Sequence, residues 1–194
     1  MSFQVIAVSM PDFFHGEAEA ITMLLDSGMM DRIHLRKPAV TEQDMRQLVE
    51  AVPARLRHRL SLHDYHSIAM TYGCGIHLNG RNPLPPEGFD GILSRSCHSV
   101  EELAAYPRCN YLFLSPIYPS ISKPGYMPQF TTDDLRGRVN GRVVALGGIT
   151  PEKFHELAAA GFGGAAMLGC VWDAVRHNRI DEMKEQLREC RKGL

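Results

Sequence analysis

Eight short apolar runs, each followed by a polar or amphipathic stretch, recur along this chain. That rhythm constrains the fold more than any single motif does. The runs are "FQVIAVS" (3–9), "RIHLRK" (32–37), "RLSLH" (59–63), "GIHL" (75–78), "GILSRSC" (91–97), "NYLFLSPI" (110–117), "RVVALGG" (142–148) and "GAAMLG" (164–169). The stretches between them carry helix signals. "HGEAEAITMLLDSG" places Ala18, Ile21, Leu24 and Leu25 at helical spacing and stops at Gly28. Thr41 and Asp44 form an N-cap box before Leu48 and Val49. A short helix is expected around "SIAMTYG", and Ser99 is placed to cap "VEELAAYP". "TTDDLRGR" (131–138) reads as a short helix, and "TPEKFHELAAAG" as one with Pro in its first turn. The remainder, to Leu194, reads as one long charged amphipathic helix.

Alternation of this kind points to parallel strands joined by helical crossovers. Eight units in 194 residues, roughly 24 each, predict a compact (β/α)8 TIM barrel forming a single domain over residues 1–194. A flavodoxin-like or Rossmann sheet would leave two runs unused, and no GxGxxG follows the first strand.

A net charge of −1 gives no electrostatic reason to expect a nucleic-acid partner. No apolar stretch approaches the length of a membrane span, and "MSFQVIAVSM" reads as a first strand, not a leader. Cys74, Cys97, Cys109, Cys170 and Cys190 are odd in number and lack CxxC spacing, which fits reduced, buried thiols in a cytoplasmic protein. A homo-oligomer is left open, since nothing separates a dimer surface from ordinary helix exteriors.

In such a barrel, function collects at the carboxyl ends of the strands. His34, Arg36 and Lys37 follow strand two; His63, Asp64 and His66 follow strand three; His77, Asn79 and Asn82 follow strand four. Ser94, Arg95, Ser96 and His98 close strand five, and Ser120, Ser122 and Lys123 follow strand six. Gly147, Gly148 and Gly169 follow the last two strands, where bare backbone either permits tight turns or cradles a phosphate; two adjacent turns favour phosphate. The ligand expected is a phosphate ester. Arg36, Lys123 and the two hydroxyls, with Asp64, have the chemistry to hold a diphosphate with Mg²⁺, although Asp64 in "HDYHS" reads equally well as a helix cap. His98 is the general acid/base candidate, by the ordinary pKa of imidazole. His63, His66 and His77 have no spacing that one helix would fix, which gives a tri-histidine zinc site little support.

Together, "HLRKP", "HD", "GIHL", "SCHSVEEL", "YLFLSPIYPSISK", "VVALGGIT" and "GFGGAAMLG" resemble the thiamine phosphate synthase/TenI family, in order and nearly end to end. The resemblance implies a (β/α)8 barrel acting in thiamine biosynthesis. Its synthase members join hydroxymethylpyrimidine diphosphate to a thiazole phosphate and release diphosphate with magnesium; some TenI-type members are thiazole tautomerases. Carried over, it implies Arg36, Ser96, His98 and Lys123 as catalytic residues. It implies His34, Lys37, His63, Ser120, Ser122, Gly147, Gly148 and Gly169 against substrate, and Asp64 and Asn82 at the metal.

The departures are informative. "HLRKP" puts Pro38 where the family pattern has its second cation, leaving Lys37 as the substitute. "HLNGRN" puts neutral Asn82 where the pattern has a second metal-binding acid. His34 and the surroundings of His98 look more like TenI-type members. The leading expectation is a magnesium-dependent synthase. A His98-dependent tautomerase and a non-catalytic thiazole-phosphate binder are the rivals.

Overall fold

The computed structural model describes residues 2–119 and 130–194. The chain folds as a closed ring of eight parallel strands. They are β1 (Gln4–Val8), β2 (Arg32–Leu35), β3 (Leu60–Leu62), β4 (Gly75–Leu78), β5 (Leu93–Cys97), β6 (Tyr111–Leu114), β7 (Val143–Leu146) and β8 (Gly164–Met167). Each pairs with its sequence neighbour, and β8 returns to β1 in the register Val5↔Ala165 and Ile6↔Ala166. All eight apolar runs contain strands, seven of them shorter than the run and β4 matching it. The (β/α)8 architecture is the expected one.

Helices α1 (Glu17–Asp26), α2 (Glu42–Ala51), α3 (Ala54–Arg57), α4 (His66–Tyr72), α5 (Phe154–Ala160), α6 (Gly169–Arg176) and α7 (Ile180–Cys190) surround the ring. In α1 the expected stripe is buried, with Ile21, Leu24 and Leu25 fully enclosed against the outward faces of the strands. The Thr41–Asp44 capping box is present in both directions, at 3.1 and 3.2 Å.

Three local expectations change. Residues 131–138 form successive turns, not a helix. Thr131 and Asp134 cap one another, but the bonds that follow run from Leu135 to Thr132 and from Arg136 to Asp133, and Gly137 takes a left-handed φ of 72°. After β5, Ser99 caps only a 3₁₀ turn at Glu101–Ala105, with Pro107 just beyond. The C-terminal segment is two helices. It breaks at His177–Arg179, where Asn178 adopts φ 54°.

Two apolar regions result. The larger lies between the ring and its helices; the smaller fills the ring with Ile6, Val8, Tyr111, Phe113, Val144 and Ala166. Beside that inner cluster the β2–β5 arc is polar: His34, Ser61, His77 and Ser94 are all fully buried. The seam between first and last units is stapled by Trp172 of α6, whose indole N–H donates to the Val8 carbonyl at 2.6 Å. No helix of the described residues is long and apolar enough to cross a membrane, and the five cysteines are free.

Candidate active site

The carboxyl ends of β2, β3 and β4 bring Arg36, Asp64, Arg81 and Asn82 to one arc of the barrel mouth. Arg36 is exposed, its backbone N–H donating to Ser9 Oγ at 2.9 Å. Asp64 does not cap α4: the cap position is Tyr65, in a left-handed conformation with no side-chain cap. Its carboxylate instead accepts from Arg81, with Nη2 at 3.0 and 2.9 Å from the two oxygens and Nε at 3.3 Å. Asn82 adds an amide donor at 3.0 Å.

The expected metal pair is thus drawn together, but around a guanidinium. Magnesium takes oxygen ligands and prefers carboxylates. Here the single carboxylate is neutralised by Arg81, and Asn82 turns N–H toward it. Arranged so, this corner does not fit Mg²⁺.

Lys37 is not brought to the mouth either. It is buried, with Nζ 2.7 and 2.8 Å from the Glu17 carboxylate, 2.9 Å from the Asp12 carbonyl and 4.6 Å above the Phe13 ring. Burial opposes charge on both partners, lowering the Lys37 pKa and raising that of Glu17, while their mutual attraction offsets part of the effect. Its donors are committed to the β1–α1 loop.

Beneath the arc, His34, His63 and His77 share one layer of the barrel interior. His34 Nδ1 is 3.1 Å from His63 Nε2, and its Nε2 meets the Tyr111 hydroxyl at 2.5 Å. His77 bonds Ser94 at 2.9 Å and Ser96 at 2.8 Å through its two nitrogens, and its ring stacks on His63 with centroids 4.0 Å apart. Burial, reinforced by neighbouring imidazoles and arginines, holds His34 and His63 well below the usual imidazole range and pulls His77 down to about 3. All three are neutral over the physiological range. Ser96 is therefore a hydroxyl oriented by His77 from below.

On the β5–β6 side, His98 is exposed, and its Nδ1–H donates to the Ser115 carbonyl at 3.2 Å. That bond leaves Nε2 with its lone pair directed elsewhere, as a general base requires. Ser120, Ser122 and Lys123 lie outside the described residues.

Opposite, after β7, Gly147 and Gly148 have φ of 101° and 64°. A Cβ on Gly148 would lie 2.3 Å from the Pro119 carbonyl oxygen, so only glycine lets the β6 and β7 loops close on one another. Gly169 opens α6 behind Leu168, which makes no side-chain cap. No atom lies within 4 Å of where a Cβ of Gly169 would be. Helix N–H groups at this corner are available to an anion.

Sequence reasoning passed over Arg81 and Tyr111, and placed Ser94 and His77 at strand ends without their buried partners. The signal was present: Ser94 and Ser96, like His34 and Arg32, stand at alternate strand positions, the spacing of one face.

Fold and site together define a (β/α)8 barrel whose mouth has a cationic arc facing a bare-backbone corner. The family described as "Thiamine monophosphate synthase" (TMP-TENI) matches residues 5–171, and the chain belongs to that family. A solved thiamine phosphate pyrophosphorylase from Bacteroides thetaiotaomicron is 32% identical, with a TM-score of 0.83 over 98% of this chain and 97% of that one. Thiamine-phosphate synthase of Proteus mirabilis is 28% identical over 156 residues, covering 74% of this chain and 72% of its own. That of Methanocella arvoryzae is 33% identical over 110 residues; the match covers half of this chain and half of the relative. A Pyrococcus furiosus thiamine phosphate pyrophosphorylase, at 19% identity and TM-score 0.78 over 98% and 96% of the chains, shares the fold.

Proposed function

We propose that this chain is a thiamine-phosphate synthase, joining hydroxymethylpyrimidine diphosphate to thiazole phosphate with release of diphosphate. One observation carries the reading: the mouth has two anion-compatible regions on opposite sides of an eight-strand ring. The β2–β4 arc offers Arg36 and Arg81; the β7–β8 corner offers the loops of Gly147, Gly148 and Gly169. Two phosphorylated substrates facing one another across a barrel suit such a division.

In this scheme the pyrimidine methylene–oxygen bond breaks, negative charge builds on the departing diphosphate, and the thiazole nitrogen captures the carbon. Arg36 and Arg81 stabilise the leaving charge. Ser96, held by His77, donates a hydrogen bond nearby, and the glycine corner fixes the thiazole phosphate. Lys123, Ser120 and Ser122 belong to the same proposal by resemblance. No step is assigned to magnesium.

The test is to incubate purified protein with both substrates and look for thiamine phosphate and diphosphate in equal amounts. Failure to form either rejects the reading. A second reading, thiazole tautomerase, draws on His98, whose Nδ1–H bond to Ser115 leaves Nε2 free to move a proton. It requires tautomerisation that His98→Ala abolishes. Tight thiazole phosphate binding without any turnover would leave a binding protein.

A further inference from the structure

We infer that the barrel interior of this chain binds one transition-metal ion of the zinc class, through ring nitrogens of His34, His63 and His77. One nitrogen from each ring lies within 4.8 Å of the other two, and the His34 Nδ1–His63 Nε2 edge is already 3.1 Å. Two imidazole nitrogens on a tetrahedral zinc ion, at about 2.0–2.1 Å each, stand about 3.3–3.4 Å apart. One edge of the triangle is near that spacing. The others need to close by at most about 1.4 Å, which small ring rotations supply.

The ligand chemistry selects the ion. The donors are imidazoles alone, with no carboxylate among them, a set that suits zinc, cobalt, nickel or copper and not magnesium or calcium. The outer partners are in place as well. A ligating histidine needs an acceptor for the N–H on its far side. His34 Nε2 faces the Tyr111 hydroxyl, and whichever nitrogen of His77 turns to the metal, the other keeps Ser94 or Ser96. His34 and His77 stand on β2 and β4, and His63 directly follows β3, so rigid strands place them. A plain hydrogen-bonded chain would explain the His34–His63 contact. It gives no reason for His77, bonded only to serines, to stack on His63 and stand edge-on to His34.

Three protein ligands leave a fourth position, as in zinc sites that accept water or a substrate atom. His63 directly follows β3, at the carboxyl end of that strand, and its carbonyl accepts from Asn79. The Asp64–Arg81 corner and this imidazole site are separate features, and the inference does not depend on the synthase reading.

Titrating chelator-stripped, full-length protein with Co²⁺ tests the inference. Expected is a visible ligand-field absorption of four-coordinate intensity that saturates at one equivalent and is displaced by one equivalent of Zn²⁺. His34→Gln, His63→Asn and His77→Gln each remove it, and His177→Asn leaves it. Absence of a saturating band overturns the inference, as does its survival in a His34→Gln/His77→Gln double variant. Should the variants misfold, the wild-type spectrum decides alone: a thiolate charge-transfer band would assign the metal to cysteine and overturn the inference; its absence, with a saturating ligand-field band, supports the histidines.

Discussion

Arg81 lies across Asp64 with Nη2 2.9 Å from one carboxylate oxygen and 3.0 Å from the other, at the corner where the family resemblance places a metal. The pair is largely open on the arginine side, so it contributes little to stability; exposed ion pairs are worth about 0–1 kcal/mol. Under the proposed function its effect is on which positive charge meets the diphosphate. If the synthase reading holds, turnover after chelation does not rise on adding millimolar-range Mg²⁺, and Arg81→Ala lowers kcat/KM by about 10–100-fold, equivalent to about 1.4–2.8 kcal/mol of transition-state stabilisation. Restoration by Mg²⁺ alone would show the ion displacing the guanidinium.

The Lys37–Glu17 pair is structural and fully enclosed. Removing one partner leaves an unpaired buried charge, so Lys37→Met or Glu17→Gln should each destabilise by about 3–5 kcal/mol, measured by denaturant unfolding. The double replacement Lys37→Met/Glu17→Leu should recover most of that loss. A Lys37→Met protein of unchanged stability but impaired substrate affinity would place the ammonium in the site.

Acid should weaken the metal-free protein early. His34, His63 and His77 have folded pKa values depressed below 6.5, so the unfolded chain binds protons that the folded chain does not. Their contribution is fully present above the unfolded value and is lost as pH falls through 6.5 toward about 3, where His77 titrates in the fold. Each imidazole that stays neutral steepens the loss by about 1.4 kcal/mol per pH unit. Urea midpoints measured across this range should fall accordingly, and His34→Gln should flatten the curve. A midpoint independent of pH there would mean the folded imidazoles protonate freely.

If the synthase reading holds, Gly148→Ala should act on thiazole phosphate binding. The new Cβ meets the Pro119 carbonyl oxygen at 2.3 Å and requires a φ of +64° that alanine resists. The β6 and β7 loops must separate, so thiazole phosphate affinity by calorimetry should fall at least tenfold, about 1.4 kcal/mol. Gly169→Ala meets open space, and should change affinity only through the lost backbone freedom.

The ring of strands was legible because each apolar run is short, bounded and repeated. Its parallel order follows from the helical segments between. Helix breaks were less so: Asn178 ends α6 by a backbone conformation that polar patterning does not register. At the mouth, residue types announced anion chemistry, but partners did not. Lys37 looked like a free cation because Glu17 is twenty residues upstream and on another element. Asp64 looked like a ligand because Arg81 sits seventeen residues downstream. Electrostatic pairing across loops is a property of the closed barrel, and only the three-dimensional register decides it.

The Trp172–Val8 bond joins residues 164 positions apart, across the seam where β8 meets β1. Until the last quarter of the chain has been synthesised, β1 presents an open edge with no second neighbour. Ring closure is therefore a late event in biogenesis, and contacts this remote in sequence slow folding. A nascent chain stalled before β8 would expose that edge to other strands, making the half-made barrel a natural client for chaperones that shield unpaired backbone.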